Sequence, residues 1–238
     1  MRLRKQPGQA VSLLLACHPL PAAAVTVGLT AAAGLTGRSA PECLLVAATV
    51  LTGQFTIGWV NDVVDAERDR HAGRRDKPVA MGWIDPATVR RATVCMALLV
   101  VPLSLANGVA AGVAHLGFVL SGWLYNVYLK QTVLSWLPYV VGFGLLPAFL
   151  SYGGWGLGPH GAPPTIAMTV LAALFGIGVH FLNVLPDLEE DRENRISHLP
   201  MRVASRTGAP RLLAVSAAFT AVVVVGVVVT ALTVGVRQ

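Results

Sequence analysis

Seven long apolar runs leave this chain few ways to fold. They cover residues 11–35, 41–60, 92–110, 111–129, 133–152, 165–185 and 212–236. Crossing the hydrocarbon core of a bilayer takes roughly 20 mainly apolar residues. No water is available there to satisfy exposed N–H and C=O groups, so such runs must become helices. Asn107 and Gly108 interrupt the third run, which is expected to end near Ala106 and pair tightly with the fourth. Composition agrees: of 238 residues, 54% are hydrophobic and 13% charged, against about a quarter charged in soluble globular chains. A soluble globule and a disordered chain are both excluded. Cys17, Cys43 and Cys95 lie in or beside apolar runs, form no CxxC pair and read as small core residues. The expected fold is all-α: a polytopic transmembrane helical bundle of about seven spans, one membrane domain over residues 1–238.

Basic residues set the expected topology. With seven spans, 16 of the 18 Lys and Arg fall on one side, which should be cytoplasmic. The N-terminus then lies in the cytoplasm of a multi-pass protein of the cell membrane. The net charge of +6 is explained by basic loops beside anionic lipid headgroups, not by a nucleic-acid partner. The first run follows Arg2, Arg4 and Lys5 as a signal peptide would, but it is too long for a cleavable one and further spans follow it.

The acids are concentrated. Eleven of the 12 Asp and Glu residues lie in two segments on that same side, and only Glu42 lies elsewhere. The first segment begins Asn61-Asp62-Val63-Val64-Asp65-Ala66-Glu67-Arg68-Asp69, and the second reads Asn183-Val184-Leu185-Pro186-Asp187-Leu188-Glu189-Glu190-Asp191. On a continuing helix, Asn61, Asp65 and Asp69 form one stripe with Asp62 beside it, and Asn183, Asp187 and Asp191 form another. Pro186 should kink or thin the second helix. Stacked carboxylates repel, and burying them is costly unless something neutralises them. Two oxygen-rich stripes on one side invite a shared hard divalent cation, Mg²⁺ or Ca²⁺. Mg²⁺ usually takes only one or two carboxylates and completes its octahedron with substrate phosphates, which points to a diphosphate substrate. A solvated acidic loop paired with nearby arginines is the plainer alternative.

Basic side chains supply the other half of such a site. Arg68, Arg70, Arg74, Arg75 and Lys77 follow the first cluster, and Arg192, Arg195 and Arg202 the second. They could clamp diphosphate oxygens or simply face headgroups. Lys77 is preferred because it opens a Pro- and Gly-punctuated loop, Lys77-Pro78-Val79-Ala80-Met81-Gly82, able to fold back over the site. Tyr125 and Lys130 end the fourth run, either as interfacial anchors or as contacts to a diphosphate and a cationic centre. His180, one turn before Asn183, is either an interhelical polar contact or a pocket residue. His18, within the first run, is a second intramembrane candidate facing a cavity. No paired-histidine zinc motif, dinucleotide-binding fingerprint or phosphate-binding loop is present.

These residues resemble the UbiA superfamily of intramembrane prenyltransferases. Asn61–Asp69 reads as NDxxDxxxD closing a second helix. The stretch from Asp69-Arg70 to Lys77-Pro78 and Gly82 looks like the family's following loop, and Asp187–Asp191 is the second DxxxD. The resemblance implies a helical bundle around a central apolar cavity with the aspartates at its cytoplasmic mouth. It implies Mg²⁺ held by Asn61 and Asp65 and by Asp187 and Asp191, with Asp62 and Asp69 supporting or taking part in catalysis. Tyr125 and Lys130 fall where the family contacts the diphosphate and the cation. Lys77, Arg68, Asn183, His180 and Arg192 complete the expected substrate-binding set. The implied partners are an isoprenyl diphosphate, a lipophilic or aromatic acceptor, and the lipid bilayer. Members typically have nine spans, so seven suggests a short member, a fragment or a homo-oligomer. Lys77 stands in place of the family's usual Arg. His18 stands where members that bind aromatic acids often have Arg, which argues against a benzoate-type acceptor. A terpene cyclase on the same scaffold is the alternative enzyme. A transporter, whose acids would lie near the bilayer midplane, and a non-catalytic assembly partner are the other readings.

Overall fold

The computed structural model describes residues 7–155, 161, 163–193 and 196–233. Every ordered element among them is helical: α1 Gln9–Ala16, α2 Pro19–Leu35, α3 Ala40–Val64, α4 Ala66–His71, α5 Pro86–Ala106, α6 Val109–Leu124, α7 Leu137–Ser151, α8 Ile166–Val184, α9 Leu188–Glu193, α10 Leu199–Thr207 and α11 Ala209–Thr233. A π turn, Tyr125–Leu129, extends α6, and a 3₁₀ turn, Leu185–Asp187, joins α8 to α9.

Local chemistry sets the boundaries. Ser39 and Glu42 form a reciprocal capping box at the start of α3. Asp85 caps α5, its side chain accepting from the Ala87 N–H at 3.2 Å with Pro86 behind it. As expected, α5 ends at Ala106, and Asn107 and Gly108 (φ +111°) turn the chain directly into α6. Pro186 thins the helix to a 3₁₀ turn, as its missing N–H predicts.

The expected seven spans are not all matched by helices of spanning length. Among the described residues, four helices are long and apolar enough to cross a membrane: α3, α5, α8 with its 3₁₀ turn, and α11. A fifth span appears if α1 and α2, bent by 62° to each other, are taken together. The bend falls at His18-Pro19, where the proline ring disfavours helical geometry in the preceding residue and His18 adopts φ 57°. The remaining shortfall lies in length. Helix α7 has 15 residues, about 22 Å at the α-helical rise and short of a ~30 Å core. Helix α6 reaches further only through its π turn.

The helices pack in sequence, α2 on α3, α3 on α5, α5 on α6, α6 on α7, α7 on α8 and α8 on α11, with α6 also touching α3. The main core joins Leu29, Val46, Val50, Val100, Phe118 and Phe149 from five of these helices. A second cluster, with Cys17, Trp59, Val79, Ile84 and Val89, sits under the loop after α4. On the outer faces Leu20, Ile166 and Leu232 are at least 80% exposed, a pattern that water would penalise and lipid accepts.

Candidate active site at the mouth of the bundle

Helix α3 stops at Val64, and Asp65 is at once its C-cap and the N-cap of α4. The helix therefore breaks within the acid cluster instead of running through it, and the chain after α4 folds back. The buried Asp62 carboxylate accepts the Val79 N–H at 3.1 Å, which ties the loop to α3. This places Lys77 inside the mouth. Its Nζ lies 3.1 Å from His18 Nε2, 3.2 Å from Asn61 Oδ1, 3.8 Å from Asp69 and 3.9 Å from Asp62. His18 reaches it because Gly58 lets the chain pass close by: a Cβ on Gly58 would stand 2.2 Å from the Cys17 carbonyl oxygen.

The π turn supplies the facing wall. Tyr125 and Lys130 are five residues apart, a spacing that an α-helix would rotate to different faces. Here Lys130 N–H donates to the Tyr125 carbonyl at 2.8 Å, the i→i+5 closure of a π turn. Both side chains consequently face inward. Lys130 Nζ donates to Asp65 Oδ2. The same carboxylate accepts from Asn61 Nδ2 at 2.9 Å and meets Arg68 at 3.2 Å. Tyr125 is buried edge-on against Tyr139, ring centroids 5.0 Å apart, and against His180 at 5.8 Å.

Arginines join the two acid clusters. Arg68 lies 3.2 Å from Asp65 and 3.9 Å from Asp191. Arg74 reaches across to Asp187 at 2.9 Å and to Asp76 at 3.1 Å. Asp191 is buried and bonded to His198 Nε2 at 2.8 Å. His198 Nδ1 accepts the Met201 N–H at 3.1 Å, which leaves the proton on Nε2, so a neutral ring suffices to donate to Asp191. Asn183 donates to the Tyr139 hydroxyl at 3.1 Å. Gly176 allows this neighbour to approach, since a Cβ there would stand 2.4 Å from the Tyr139 carbonyl oxygen.

The electrostatics follow from this crowding. Burial raises the Asp69 carboxyl above its usual range, opposed by Lys77. Its hydrogen bond to Arg74 holds Asp76 below that range. The Asp62 Oδ1 and Asp69 Oδ2 atoms are buried without a hydrogen-bond partner, so the mouth holds more acceptor capacity than it uses. Among the described residues no three metal-ligating side chains form a ready cage. Basic side chains stand between the carboxylates instead. That donor set, hard oxygens in ones and twos with cations beside them, fits Mg²⁺ bound together with a phosphate ligand better than a closed protein cage.

The structure thus gathers Asn61, Asp62, Asp65, Arg68, Asp69, Lys77, Tyr125, Lys130, Asp187 and Asp191 at one end of the bundle. Asp62 is tied to the loop as well as facing Lys77. His180 is buried on Ser135 (3.0 Å) beneath Tyr125 and Tyr139. Asn183 and Arg192 are exposed, and Arg195 lies outside the described residues. Sequence reasoning misses His198, Tyr139 and Asn126. Only the single N-cap pattern His198-Leu199-Pro200 offers a signal for any of them. Two cavities open away from the aspartates: about 540 Å³ beside Arg70, Val79 and Trp83, and about 500 Å³ between Trp59, Val63, Leu98 and Trp123.

Fold and mouth together define a polytopic helical membrane protein with acidic and basic side chains gathered at one end of its bundle. Residues 21–236 match the model of the UbiA prenyltransferase family, and the chain belongs to that family. Its function is accordingly of the intramembrane prenyltransferase type. The fold is similar to that of a UbiA homologue from Archaeoglobus fulgidus bound to GPP and Mg²⁺, with TM-score 0.70, 15% identity, and coverage of 90% of this chain and 76% of that one. The same homologue bound to DMAPP and Mg²⁺ gives TM-score 0.70 at 17% identity, with 90% and 76% covered. A digeranylgeranylglyceryl phosphate synthase structure gives TM-score 0.63 at 17% identity, with 89% and 76% covered. No curated protein matches the sequence.

Proposed function

We propose that this protein is a Mg²⁺-dependent prenyltransferase that moves an isoprenyl group from an allylic diphosphate to a lipophilic or aromatic acceptor. The observation that carries the reading is the convergence of the two acid clusters, joined through Arg68 and Arg74, at one end of an apolar bundle. The similar folds that bind GPP or DMAPP together with Mg²⁺ support the same chemistry here.

Asn61 and Asp65, and Asp187 and Asp191, would hold Mg²⁺, which when bound neutralises charge on the leaving diphosphate. Lys130, Arg68, Arg74 and Lys77 then have a second anion to serve. In the absence of ligand they pair with carboxylates, and with it their N–H groups turn to the diphosphate oxygens as charge builds there. The prenyl tail lies along the aromatic column below Tyr125, formed by Tyr139, Phe143 (6.2 Å, stacked) and Phe175 (5.6 Å from Phe143). These ring faces favour the allylic cation and exclude water until the acceptor captures it. His18, a neutral acceptor of the Lys77 proton and not a guanidinium, gives the mouth no bidentate partner for an acceptor carboxylate.

Mass spectrometry of lipids from membranes containing the protein, with and without an added prenyl diphosphate, tests the reading. A prenylated acceptor that appears only with the diphosphate supports it. A cyclic hydrocarbon or alcohol formed from the diphosphate alone would replace transferase with cyclase.

A further inference from the structure

We infer that Asn126 is a positioning residue: it fixes the orientation of the Asn61 amide so that Asn61 Oδ1, not Nδ2, faces the cation position. This rests on the metal reading above. The Asn126 amide nitrogen donates to two backbone carbonyls, Gly122 at 3.0 Å and Ile57 at 3.3 Å. Carbonyl oxygens only accept, so the amide of Asn126 can point only one way. Its Oδ1 must therefore face Asn61, where it accepts from Nδ2 at 2.9 Å. The second N–H of Asn61 is taken by Asp65 at 2.9 Å. With both donors committed, Asn61 Oδ1 is left towards the mouth, where the Lys77 ammonium sits at 3.2 Å. A cation already occupies the position that the relay prepares for one.

The relay depends on the π turn. Asn126 is buried in it, between Tyr125 and Lys130, and all three side chains work at the mouth. Without the Asn126 oxygen, Asp65 alone is left to accept from the Asn61 Nδ2, and once that carboxylate turns to a bound cation that displaces Lys77, nothing holds Asn61 Oδ1 towards the mouth. Outer partners of metal ligands typically contribute about 10- to 100-fold in metal affinity.

The test follows Mn²⁺ binding to the full chain in detergent by equilibrium dialysis, first with the metal alone and then with inorganic diphosphate. Asn126→Leu and Asn126→Ser are both measured. The serine keeps a hydroxyl for the Gly122 carbonyl, so it preserves the local helix if the leucine does not fold, but it cannot reach Asn61. Each is expected to weaken Mn²⁺ binding by about 10- to 100-fold, at unchanged stoichiometry. In an Asn61→Asp background both side-chain oxygens are alike and no orientation remains to be set. There the same Asn126 substitutions should leave Mn²⁺ affinity within about threefold. Equal losses in both backgrounds, or none in either, would overturn the inference. Failure of the unsubstituted protein to bind Mn²⁺ both alone and with inorganic diphosphate would instead sink the metal reading on which it rests.

Discussion

The π turn turns a spacing into a prediction about a deletion. Removing Val127, an exposed residue in that turn, brings Tyr125 and the following lysine to a four-residue separation. An α-helix places residues four apart on one face, so the shortened segment can run as ordinary helix and still present both side chains to Asp65 and Tyr139. Inserting one alanine after Val127 does the opposite. At 100° per residue, each added residue carries the lysine Cα about 3.5 Å around a cylinder of 2.3 Å radius. That exceeds the slack of an ammonium seated on a buried carboxylate. The insertion should therefore leave Asp65 with Arg68 and Asn61 but without Lys130, and cost about 10²- to 10³-fold in turnover, the usual effect of losing one preorganised donor to a leaving group. The deletion should stay within about tenfold of the unmodified protein, since only alignment is altered. Diphosphate release in detergent, with Lys130→Met as the reference for complete loss of the donor, measures both. If deletion and insertion prove equally damaging, the π turn is not what brings Lys130 to the mouth.

Other outcomes follow from the same geometry. Asp65→Ala and Asp187→Ala should each abolish Mg²⁺-dependent diphosphate release. Near-normal turnover in both would falsify the metal assignment. Gly58→Ala forces a Cβ to within 2.2 Å of the Cys17 carbonyl, so α1 must shift. A loss of about 1–3 kcal/mol in stability should appear by thermal unfolding, together with a weaker His18–Lys77 contact. Asp76→Asn should matter only above the acid range. Arg74 lowers the Asp76 pKa on folding, so the carboxylate stabilises the fold above its unfolded value of about 3.9 and that contribution fades as pH falls through the folded value. The melting temperatures of the two proteins should converge in acid.

How much of this can be read from sequence depends on the range of the interaction. The acid clusters, the Asn107-Gly108 turn and the thinning at Pro186 are legible because each is a local matter of charge, φ preference or a missing N–H. The stripe drawn through Asn61, Asp65 and Asp69 assumes an unbroken helix, whereas Asp65 ends one helix and starts the next. Seven apolar runs suggest seven spans, but hydropathy does not register that α7 has only 15 residues or that His18-Pro19 breaks the first run. The pairings of Arg74 with Asp187 and of Asn126 with Asn61 join residues 113 and 65 positions apart. Such contacts are set by packing, and no spacing rule reaches them. The π turn is hidden for a simpler reason: a five-residue separation looks like two different faces to anyone counting in steps of 3.6.

The seating of Arg68, Arg74, Lys77 and Lys130 on the aspartates also bears on how the protein survives before it works. Small metal-dependent domains whose ligands lack other partners unfold when a chelator strips them. Here the counter-ions are built into the polypeptide, so the carboxylates are neutralised without a metal, and on the function proposed above loading would be an exchange of partners and not a condition of survival.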